Sequence, residues 1–567
     1  MTASRRELLR LAGAAALLGT GSACARIPTE SPIDSRPLSG RSRPGTPYVR
    51  ALPPPEDATP QQVLTGFVQA GVGTEDDYAV AREYLTPDAS AAWDPGAGVT
   101  VYSSSDELRV EQLDEDTVSL ALQAVMLVDA QGVRSVLAGP TAQEITVHVE
   151  SVDGQWRIAD PPPGIHLSGA AFEALFTPAR LYFLDPRSLH LVPDLRWYSS
   201  HRAVPEVLEG LRAGPVEPLD SAVRNLVPSS ADMEAVMVTT GADGVAQVTV
   251  PEAVRRLASA PRGHALAQLE ASLRSLRALA EVRLLWDGTD LTAQVDRSLS
   301  RPLPGHRPIG AGPTGVVSLA DAGGSDQMSQ LVPDLAETVL SAPAISQDGV
   351  LACALSLDRS SVLMASTDGS VPVRQAAAGA AYADPRPDDA GYVWASVQSG
   401  TGVLLAMSAQ GAEHDVKLDA AWLRGREVLG LDIAADATRL AVLSADEAGT
   451  RLDLCAVQRD EAGVPVSVSE PVVVRTGLVD MVQVGWYDEI ALTVLGTDPI
   501  SEELRAQVTD LATGHELLPP PRQGTVRLAG SVIAESVWAA TEDGALMRST
   551  GERWASVDLP ARDPAFY

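Results

Sequence analysis

Cysteine, histidine and aromatic residues are all scarce in this chain of 567 residues, and each scarcity excludes a class of protein. Three cysteines, two of them in the body of the chain, are too few for a large exported fold held together by disulfides. Eight scattered histidines, with no pair at i, i+2 or i+4, give no zinc-site pattern. Aromatic residues make up only 4%, so leucine, valine and alanine must fill the interiors.

Positive charge is the next deficit. The formal net charge is −31, and removal of residues 1–23, which carry a net +2, would lower it to −33. Such an acidic surface repels phosphates and anionic lipid headgroups. We therefore expect no nucleic-acid partner and no membrane binding through a basic face, so that membrane attachment has to come from a lipid.

No hydrophobic run is long enough to cross a bilayer, which takes ~20 residues. The short apolar segment 11–21 follows a positive stretch at residues 4–10 and precedes small residues and Cys24. This order predicts a signal peptide over residues 1–23 and lipid attachment at Cys24, as N-palmitoyl and S-diacylglycerol groups. Gly21 departs from the leucine that usually stands three residues before an acylated cysteine. Residues 4–10 also resemble a twin-arginine export signal, and a secreted protein with an incidental cysteine is the alternative.

Motifs of hydrolases and nucleotide-binding proteins are missing: the sequence has no HExxH, Gly-x-Ser-x-Gly, phosphate loop or paired CxxC. Acidic clusters are plentiful, and they could bind Ca²⁺ or serve as glycosidase carboxylates. Because none has the spacing of a calcium loop, we interpret them as solvated surface, and we expect no catalytic, cofactor-binding or metal-binding residues. The clusters contain Asp106, Glu107, Glu111, Asp114, Glu115, Asp116, Asp388 and Asp389.

The first half of the chain is predicted to hold a tether and two α+β domains. Residues 24–58 are proline-rich and poor in apolar residues, which indicates an extended linker after the lipid. Residues 59–165 begin with Thr59-Pro60, a typical helix start, and continue with helical and then alternating apolar patterns. The closing segment 153–158 resembles the last hairpin of cone-shaped domains of the nuclear-transport-factor-like kind.

The second α+β domain is expected over residues 170–305. Strands, a helix that stops at Gly214-Pro215, a hairpin around residues 241–244 and a leucine-rich helix precede a last strand at 281–286. Together with Asn-Leu-Val-Pro at residues 225–228, this order resembles the GerMN domain of spore-germination proteins and of many lipoproteins.

Residues 312–567 are predicted to be an all-β repeat. Four aspartates precede apolar strands at spacings of 40, 48 and 52 residues: Asp348, Asp388, Asp436 and Asp488. A period near 40–50 residues matches a four-stranded propeller blade, which gives about five or six blades. A pair of β-sandwiches is the alternative.

Sulfur and indole side chains of this repeat region have ordinary explanations. We expect Cys353 and Cys455 to be buried free thiols, with a bridge between them as the alternative. Tryptophans are common core fillers of blades and also favoured anchors of interfaces, and we prefer the core for each of them. They are Trp394, Trp422, Trp486, Trp538 and Trp554.

Taken together, the sequence resembles the actinobacterial LpqB lipoprotein family over nearly its whole length. The likeness rests on residues 24–29, the helix entry at 58–60, the run at 77–86, the GerMN-like middle and the degenerate propeller. It implies an envelope lipoprotein associated with the MtrA–MtrB two-component system. Such a protein would contact the extracellular part of the sensor histidine kinase and influence cell-wall homeostasis and division.

Two other functions stay open at this point. The first is an extracytoplasmic glycan-binding protein or hydrolase that uses the propeller channel. Paired carboxylates at the channel mouth would favour it, and a channel lined by alanine, valine and glycine would oppose it. The second is passive binding of peptidoglycan or a lipid by the cone-like domain, which an interior filled with side chains would exclude.

Overall fold

A computed structural model of the protein describes residues 51–104, 108–232, 236–241, 244–320 and 328–567. These residues belong to one compact unit, within which three domains follow one another along the chain. The first two are mixed α and β, and the third is a β-propeller.

The first domain begins with the predicted helix. The Thr59 hydroxyl accepts the backbone N–H of Gln62, the Thr59 N–H donates to the Gln62 side chain, and Pro60 occupies the first turn. The helices of this domain are α1 (Pro60–Ala70), α2 (Ala79–Arg82), α3 (Pro87–Ala92) and α4 (Gly169–Leu175). Its strands are β1 (Gly98–Tyr102), β2 (Arg109–Gln112), β3 (Thr117–Asp129), β4 (Arg134–Val152), β5 (Gln155–Ile158) and β6 (Ile165–Ser168).

These strands form one curved sheet in the order β5-β4-β3-β1-β6, with β2 paired to β3. All pairs are antiparallel except β1 with β6, which run parallel. Because Leu167 of β6 and Phe172 of α4 are buried in the same core as α1, this domain continues past residue 165.

The second domain contains a two-stranded hairpin and a four-stranded sheet in the order β12-β11-β10-β9. Strands β10 and β11 are parallel, and the chain between them forms the helices that cover the sheet. The strands are β7 (Phe176–Leu184), β8 (Leu191–Ser199), β9 (Val238–Thr240), β10 (Val245–Thr249), β11 (Glu281–Trp286) and β12 (Thr289–Asp290). The helices are α5 (Ala203–Ala213), α6 (Glu252–Arg255) and α7 (Ser259–Arg274).

The described residues of the propeller form six sheets, which settles the blade number left open by the sequence. Blade 1 combines β13 (Pro308–Gly312) and β14 (Gly315–Ser318) with β36 (Arg562–Phe566), so the first and last strands of the domain close the ring. Blade 2 holds β15 (Leu340–Ile345), β16 (Leu351–Ser356), β17 (Ser361–Ser366) and β18 (Arg374–Ala378). Blade 3 holds β19 (Arg386–Pro387), β20 (Tyr392–Ser396), β21 (Val403–Ser408) and β22 (Val416–Asp419).

Blades 4 to 6 repeat this pattern. Blade 4 holds β23 (Glu427–Ile433), β24 (Arg439–Asp446), β25 (Gly449–Arg459), β26 (Pro465–Val468) and β27 (Val472–Val474). Blade 5 holds β28 (Val479–Trp486), β29 (Ala491–Thr497), β30 (Leu504–Asp510) and β31 (Gly514–Leu517), and blade 6 holds β32 (Thr525–Ser531), β33 (Ser536–Thr541), β34 (Leu546–Ser549) and β35 (Trp554–Val557). The inner strands β36, β15, β19, β23, β28 and β32 surround a central channel.

The four repeated aspartates lie at equivalent places, in the turns that join the first two strands of blades 2 to 5. Each side chain accepts the backbone N–H two residues later, at distances of 2.6–3.0 Å. This local bond tightens a turn in any chain, which is why the repeat was visible in the sequence. We call this end of the channel the upper mouth and the opposite end the lower mouth.

Candidate functional site: the propeller channel

Cys24, the predicted lipid-attachment residue, lies outside the described residues. Within the described part of the chain, no helix combines the length and apolarity needed to cross a membrane. The same residues contain no group of three or more histidine, cysteine, aspartate or glutamate side chains arranged to hold a metal ion.

The upper mouth encloses a cavity of about 70 Å³. Much of its wall consists of small residues, among them Ala344, Ala434, Gly485 and Gly530 of four different blades. Carboxylates also line it, at the blade 3 turn and on the blade 4 inner strand. The channel thus has both the small residues that would oppose a hydrolase and the carboxylates that would favour one. Whether these carboxylates are free or bound to other groups of the protein distinguishes the two possibilities.

Arginine closes the channel at the lower mouth. Arg527 of blade 6 bonds to Asp384, which precedes the inner strand of blade 3 on the opposite side of the ring. The same terminal nitrogen lies 3.2 Å from the Gln483 side chain, and the Arg527 Nε lies 3.3 Å from Asp563. Burial alone would raise the pKa of Asp384, but Arg527, Arg359 and a third arginine together hold it below its usual value. Blade 6 is therefore joined to blades 1, 3 and 5 across the channel.

A second ion pair lies between the two mouths. Arg386 of blade 3 is 3.2 Å from Asp432 of blade 4. The other carboxylate oxygen of Asp432 accepts the backbone N–H of Trp486 of blade 5 at 2.7 Å. Asp384, Asp432 and Asp563 each have an arginine partner, so the protein itself occupies these three channel carboxylates.

The second domain covers part of the upper mouth through a buried contact with blade 5. Glu489 accepts hydrogen bonds from Arg180 at 2.7 Å and from the Tyr182 hydroxyl at 2.9 Å. Burial, followed by the charge of Glu489, raises the pKa of Tyr182 to about 12, so this phenol stays a donor. Beside it, Arg439 donates to the Glu489 carbonyl at 2.6 Å and pairs with Asp436.

The connection between the second domain and the propeller also crosses the upper mouth. Pro304 lines the cavity, and its carbonyl accepts the Ser531 hydroxyl at 3.2 Å. Arg307 and Tyr567 exchange two backbone hydrogen bonds of 3.0 and 3.1 Å. Gly305 lies so close to Tyr567 that a Cβ there would be 1.7 Å from a backbone carbon. The channel is therefore partly covered at the upper mouth as well as closed at the lower mouth.

Arg134 joins all three domains. It begins β4 of the first domain, and its guanidinium stacks over the Trp197 ring of the second domain at 4.3 Å. It donates to the carbonyls of Leu511 and Ala512 in blade 5 at 2.9 and 3.0 Å. Next to it, the Gly132 carbonyl accepts the Trp197 N–H at 2.8 Å. The three domains consequently hold each other through hydrogen-bonded and packed contacts.

The interior of the first domain is filled with side chains. Phe67 and Trp93 pack edge to face with ring centres 5.2 Å apart, and Tyr84 lies so near α1 that a Cβ at Gly66 would be 2.4 Å from its ring. The buried His166 has its pKa lowered to about 4 by desolvation, so it is neutral there. Because side chains fill the interior, the structure opposes binding of a ligand inside the cone-like domain.

The remaining sequence candidates behave as structural residues. Cys353 and Cys455 are free and buried in different blades, and burial raises the pKa of each thiol to about 12. Trp394, Trp486 and Trp538 are buried, whereas Trp422 and Trp554 are half-buried. The indole nitrogens of Trp394, Trp486 and Trp554 donate to groups of the protein. The Trp422 nitrogen is buried without a hydrogen-bond partner among the described residues.

The acidic clusters divide into two kinds. Glu111, Asp114, Glu115 and Asp116 lie exposed at the end of the first domain's sheet, as expected for solvated surface, and Asp106 and Glu107 lie outside the described residues. Asp388, by contrast, is buried and bonded to Arg459 at 2.5 Å and to the Trp394 indole at 2.7 Å. Its neighbour Asp389 lines the cavity.

Sequence reasoning missed the residues that join the domains and blades, such as Arg134 and Arg527. The distribution of charged residues along the sequence did carry one signal. Residues 176–307 carry 15 arginines and 15 acidic residues, whereas residues 308–567 carry 16 basic and 36 acidic residues. The balanced segment is the one whose arginines reach the acidic turns of the propeller, so the regional charge contrast pointed to a contact between the two domains.

Comparison with solved structures yields weak likenesses. TolB from Acinetobacter baumannii has a TM-score of 0.34 and 12% identity, covering 58% of this chain and 81% of that one. A chain of the structure entitled "YCF48 bound to D1 peptide" has a TM-score of 0.28 and 15% identity, covering 44% and 77%. Likenesses at this level do not bear on fold or function.

Sequence comparison is more informative. A family model described as "Lipoprotein LpqB, N-terminal domain" matches residues 53–173, and one described as "Sporulation and spore germination" matches residues 180–292. A third, described as "Lipoprotein LpqB beta-propeller domain", matches residues 320–566. A Cutibacterium acnes protein named Lipoprotein LpqB is 28% identical over 98% of this chain and 97% of its own length. A Streptomyces avermitilis protein of the same name is 24% identical over 99% and 98%. The three matched domains, in this order and over nearly the full length of both relatives, show that the chain belongs to the LpqB lipoprotein family.

Proposed function

We propose that this protein is a lipid-anchored extracytoplasmic accessory protein that binds and modulates a two-component sensor kinase of the MtrB kind. Through that kinase it influences cell-wall homeostasis and division. The lipid would be carried by Cys24, at the start of a proline-rich tether, and the relatives' name supports an envelope lipoprotein. Tethering raises the local concentration of a partner in the same membrane, so even a weak contact would be occupied.

The observation that carries this proposal is the joining of the three domains. Arg134, Arg180 and Arg187 each donate a hydrogen bond from one domain to another. A body held in this way presents a fixed outer surface to a partner. Surface of fixed shape favours recognition, because little conformational freedom is lost on binding.

The hydrolase alternative has less support. Glycoside hydrolysis needs two carboxylates that both face the substrate, one able to give a proton and one ionised. The described channel carboxylates Asp384, Asp432 and Asp563 instead bind arginines, and Arg527 fills the lower mouth. The channel therefore offers no open pair of acids within the described residues.

Kinase binding is tested with the full-length mature lipoprotein in nanodiscs and the purified extracellular part of the sensor kinase. Biolayer interferometry is expected to give saturable binding, and photo-crosslinking followed by mass spectrometry identifies the surface. Lysine-reactive crosslinkers are unsuitable because Lys417 is the chain's only lysine. Absence of binding by both methods, with a nanodisc-embedded kinase as the second form of the partner, would refute the proposal.

The anchor is tested separately. Cys24→Ala is expected to release the protein from the membrane fraction or to leave it unprocessed, because the acidic surface offers no other attachment. Mass spectrometry of the wild-type N-terminus should show a diacylglyceryl cysteine. Mature Cys24→Ala protein at wild-type level in the membrane fraction would contradict lipid anchoring without touching the kinase proposal.

A further inference from the structure

The cavity at the upper mouth differs from the rest of the channel in its chemistry. Its volume is about 70 Å³, which is the size of a small head group rather than of a sugar or a nucleotide. Trp486 and Phe566 form apolar walls, Pro304 lines it above, and Gln347 and Asp389 provide polar atoms on the side of blades 2 and 3. Because Asp348 and Val350 on the adjacent blade 2 turn are exposed, solvent reaches the mouth from that side.

Two of the three carboxylates in this wall are already neutralised. Asp388 is bonded to Arg459, and Asp432 is paired with Arg386. Asp389 is different, because it forms no ion pair with any described residue of the chain. Its carboxylate accepts the Asp348 backbone N–H at 3.1 Å, and Arg187 above it donates to the Asp389 carbonyl rather than to the carboxylate.

The surroundings of Asp389 supply backbone hydrogen bonds but no ion-pair partner among the described residues. Burial raises its pKa most, and the like charges of Asp348 and Asp388 add to the effect. Hydrogen bonds from the backbone N–H groups of Asp348 and Gln347 oppose it, and the pKa reaches about 6. Above that pH the cavity holds one ionised carboxylate that has no ion-pair partner among the described residues, beside the apolar walls of Trp486 and Phe566. A carboxylate removed from water is stabilised by a cation that also donates hydrogen bonds to it.

The kind of cation follows from the remaining wall. A divalent metal ion takes six or more oxygen ligands, and the described residues contain no cluster able to hold one. A primary ammonium group is a compact charge with three donors, which suits one carboxylate and the amide of Gln347. The Trp486 and Phe566 rings would contact the methylene groups that follow it.

We propose that the upper-mouth cavity binds a primary ammonium group on a short alkyl chain, of the kind that ends a lysine-type side chain, with Asp389 as its counter-ion. The ligand enters between the blade 2 turn and the second domain. This site goes beyond the proposed kinase contact and does not depend on it, since free small molecules that carry the same group bind it as well.

The test uses the full-length protein and two matched probes, Nα-acetyl-lysine amide and Nα-acetyl-norleucine amide, which share an alkyl chain and differ by the ammonium group. Isothermal titration calorimetry at pH 7.5 is expected to give one saturable site for the lysine probe. The norleucine probe is expected to bind at least 10-fold more weakly. No saturation by the lysine probe at up to 50 mM, or equal affinity for both probes, would overturn the proposal.

Variants and pH localise the site. Asp389→Asn is expected to weaken the lysine probe at least 10-fold, whereas Asp368→Asn, at an exposed turn of blade 2, should leave it unchanged. Wild-type affinity should fall about 10-fold from pH 7 to pH 5 as Asp389 takes up a proton in the field of Asp348 and Asp388, below Arg187. The pH profile is measured on the wild-type protein, so it tests the site even if Asp389→Asn does not fold. Unaltered affinity in Asp389→Asn, or a flat pH profile, would contradict the assignment.

Discussion

The closure of the lower mouth by Arg527 makes a sharp prediction about stability. Arg527→Met keeps most of the apolar stem of the side chain and removes the guanidinium. The side chain is four-fifths buried, and its bonds to Asp384, Asp563 and Gln483 would all be lost. Three groups from three other blades would then have to be satisfied in another way.

The expected magnitude follows from these partners. Removal of one member of a buried ion pair costs about 3–5 kcal/mol, because the other charge stays buried without compensation. Asp384 would keep Arg359 at 2.6 Å, and Asp563 would keep the Ala342 N–H at 2.9 Å, so the lower end applies. We expect a loss of about 3 kcal/mol in the free energy of unfolding. For a domain of this size, that corresponds to a Tm lower by about 6–12 °C.

The assay is thermal and urea unfolding of the full-length protein, followed by circular dichroism. Arg548→Met is the control, since Arg548 lies exposed in β34 of the same blade and forms no ion pair with the described residues, and its effect should stay within about 0.5 kcal/mol. Arg527→Met combined with Asp384→Asn should cost less than the two single changes added together, because both remove the same bond. If Arg527→Met and Arg548→Met unfold at the same temperature and the same urea concentration, Arg527 does not join the blades.

Three further predictions concern single sites. Asp389→Asn should be more stable than the wild type by about 2–3 kcal/mol at pH 7.5 and equal to it near pH 4. The reason is that a folded-state pKa of about 6 makes the wild type lose stability as the pH rises from about 4 to 6. Unfolding measured at several pH values tests this difference. Gly305→Ala should lower the Tm by several degrees, because its Cβ would lie 1.7 Å from a backbone carbon of Tyr567. Gly430→Ala is the control, since a Cβ there would have nothing within 4 Å, and it should leave the Tm unchanged. Equal melting curves for the two variants would exclude the close approach at Gly305. Cys353 and Cys455 should react with a thiol reagent only after unfolding, and rapid labelling of the native protein would show that the blades open.

Local chemistry was readable in the sequence because it acts over a few residues. Thr59 bonds to a residue three positions away, and each turn aspartate to a backbone N–H two positions away. Such bonds recur wherever the chain makes the same turn, so their period predicted a propeller before any contact was known. The exposed Asp358 and Asp368 in other turns accept hydrogen bonds from neighbouring serine side chains and from local backbone N–H groups, which lower the pKa of each carboxyl and keep both ionised. Part of the acidity that was interpreted as solvated surface is thus turn chemistry.

The candidate site could not be predicted in the same way. Arg527 and Asp384 are 143 positions apart in the sequence, and Arg134 lies 377 positions from one of its acceptors. Nothing in their immediate surroundings distinguishes these arginines from the exposed Arg548. Pairing across a ring depends on how many blades close it and on which residue of each inner strand faces the axis, and both are properties of the assembled fold.

The sequence by itself determined the class of this protein. Its short apolar export segment, its lack of basic surface and its repeated turns identified an acidic, multidomain chain with a predicted lipid anchor and a propeller, since these features depend on composition and on neighbours along the chain. Only the tertiary structure decided that the described residues form six blades, that Arg527 closes the lower mouth and that Asp389 alone among the cavity carboxylates forms no ion pair with a described residue. Those facts depend on distances between residues far apart in sequence, which exist only after the ring has closed.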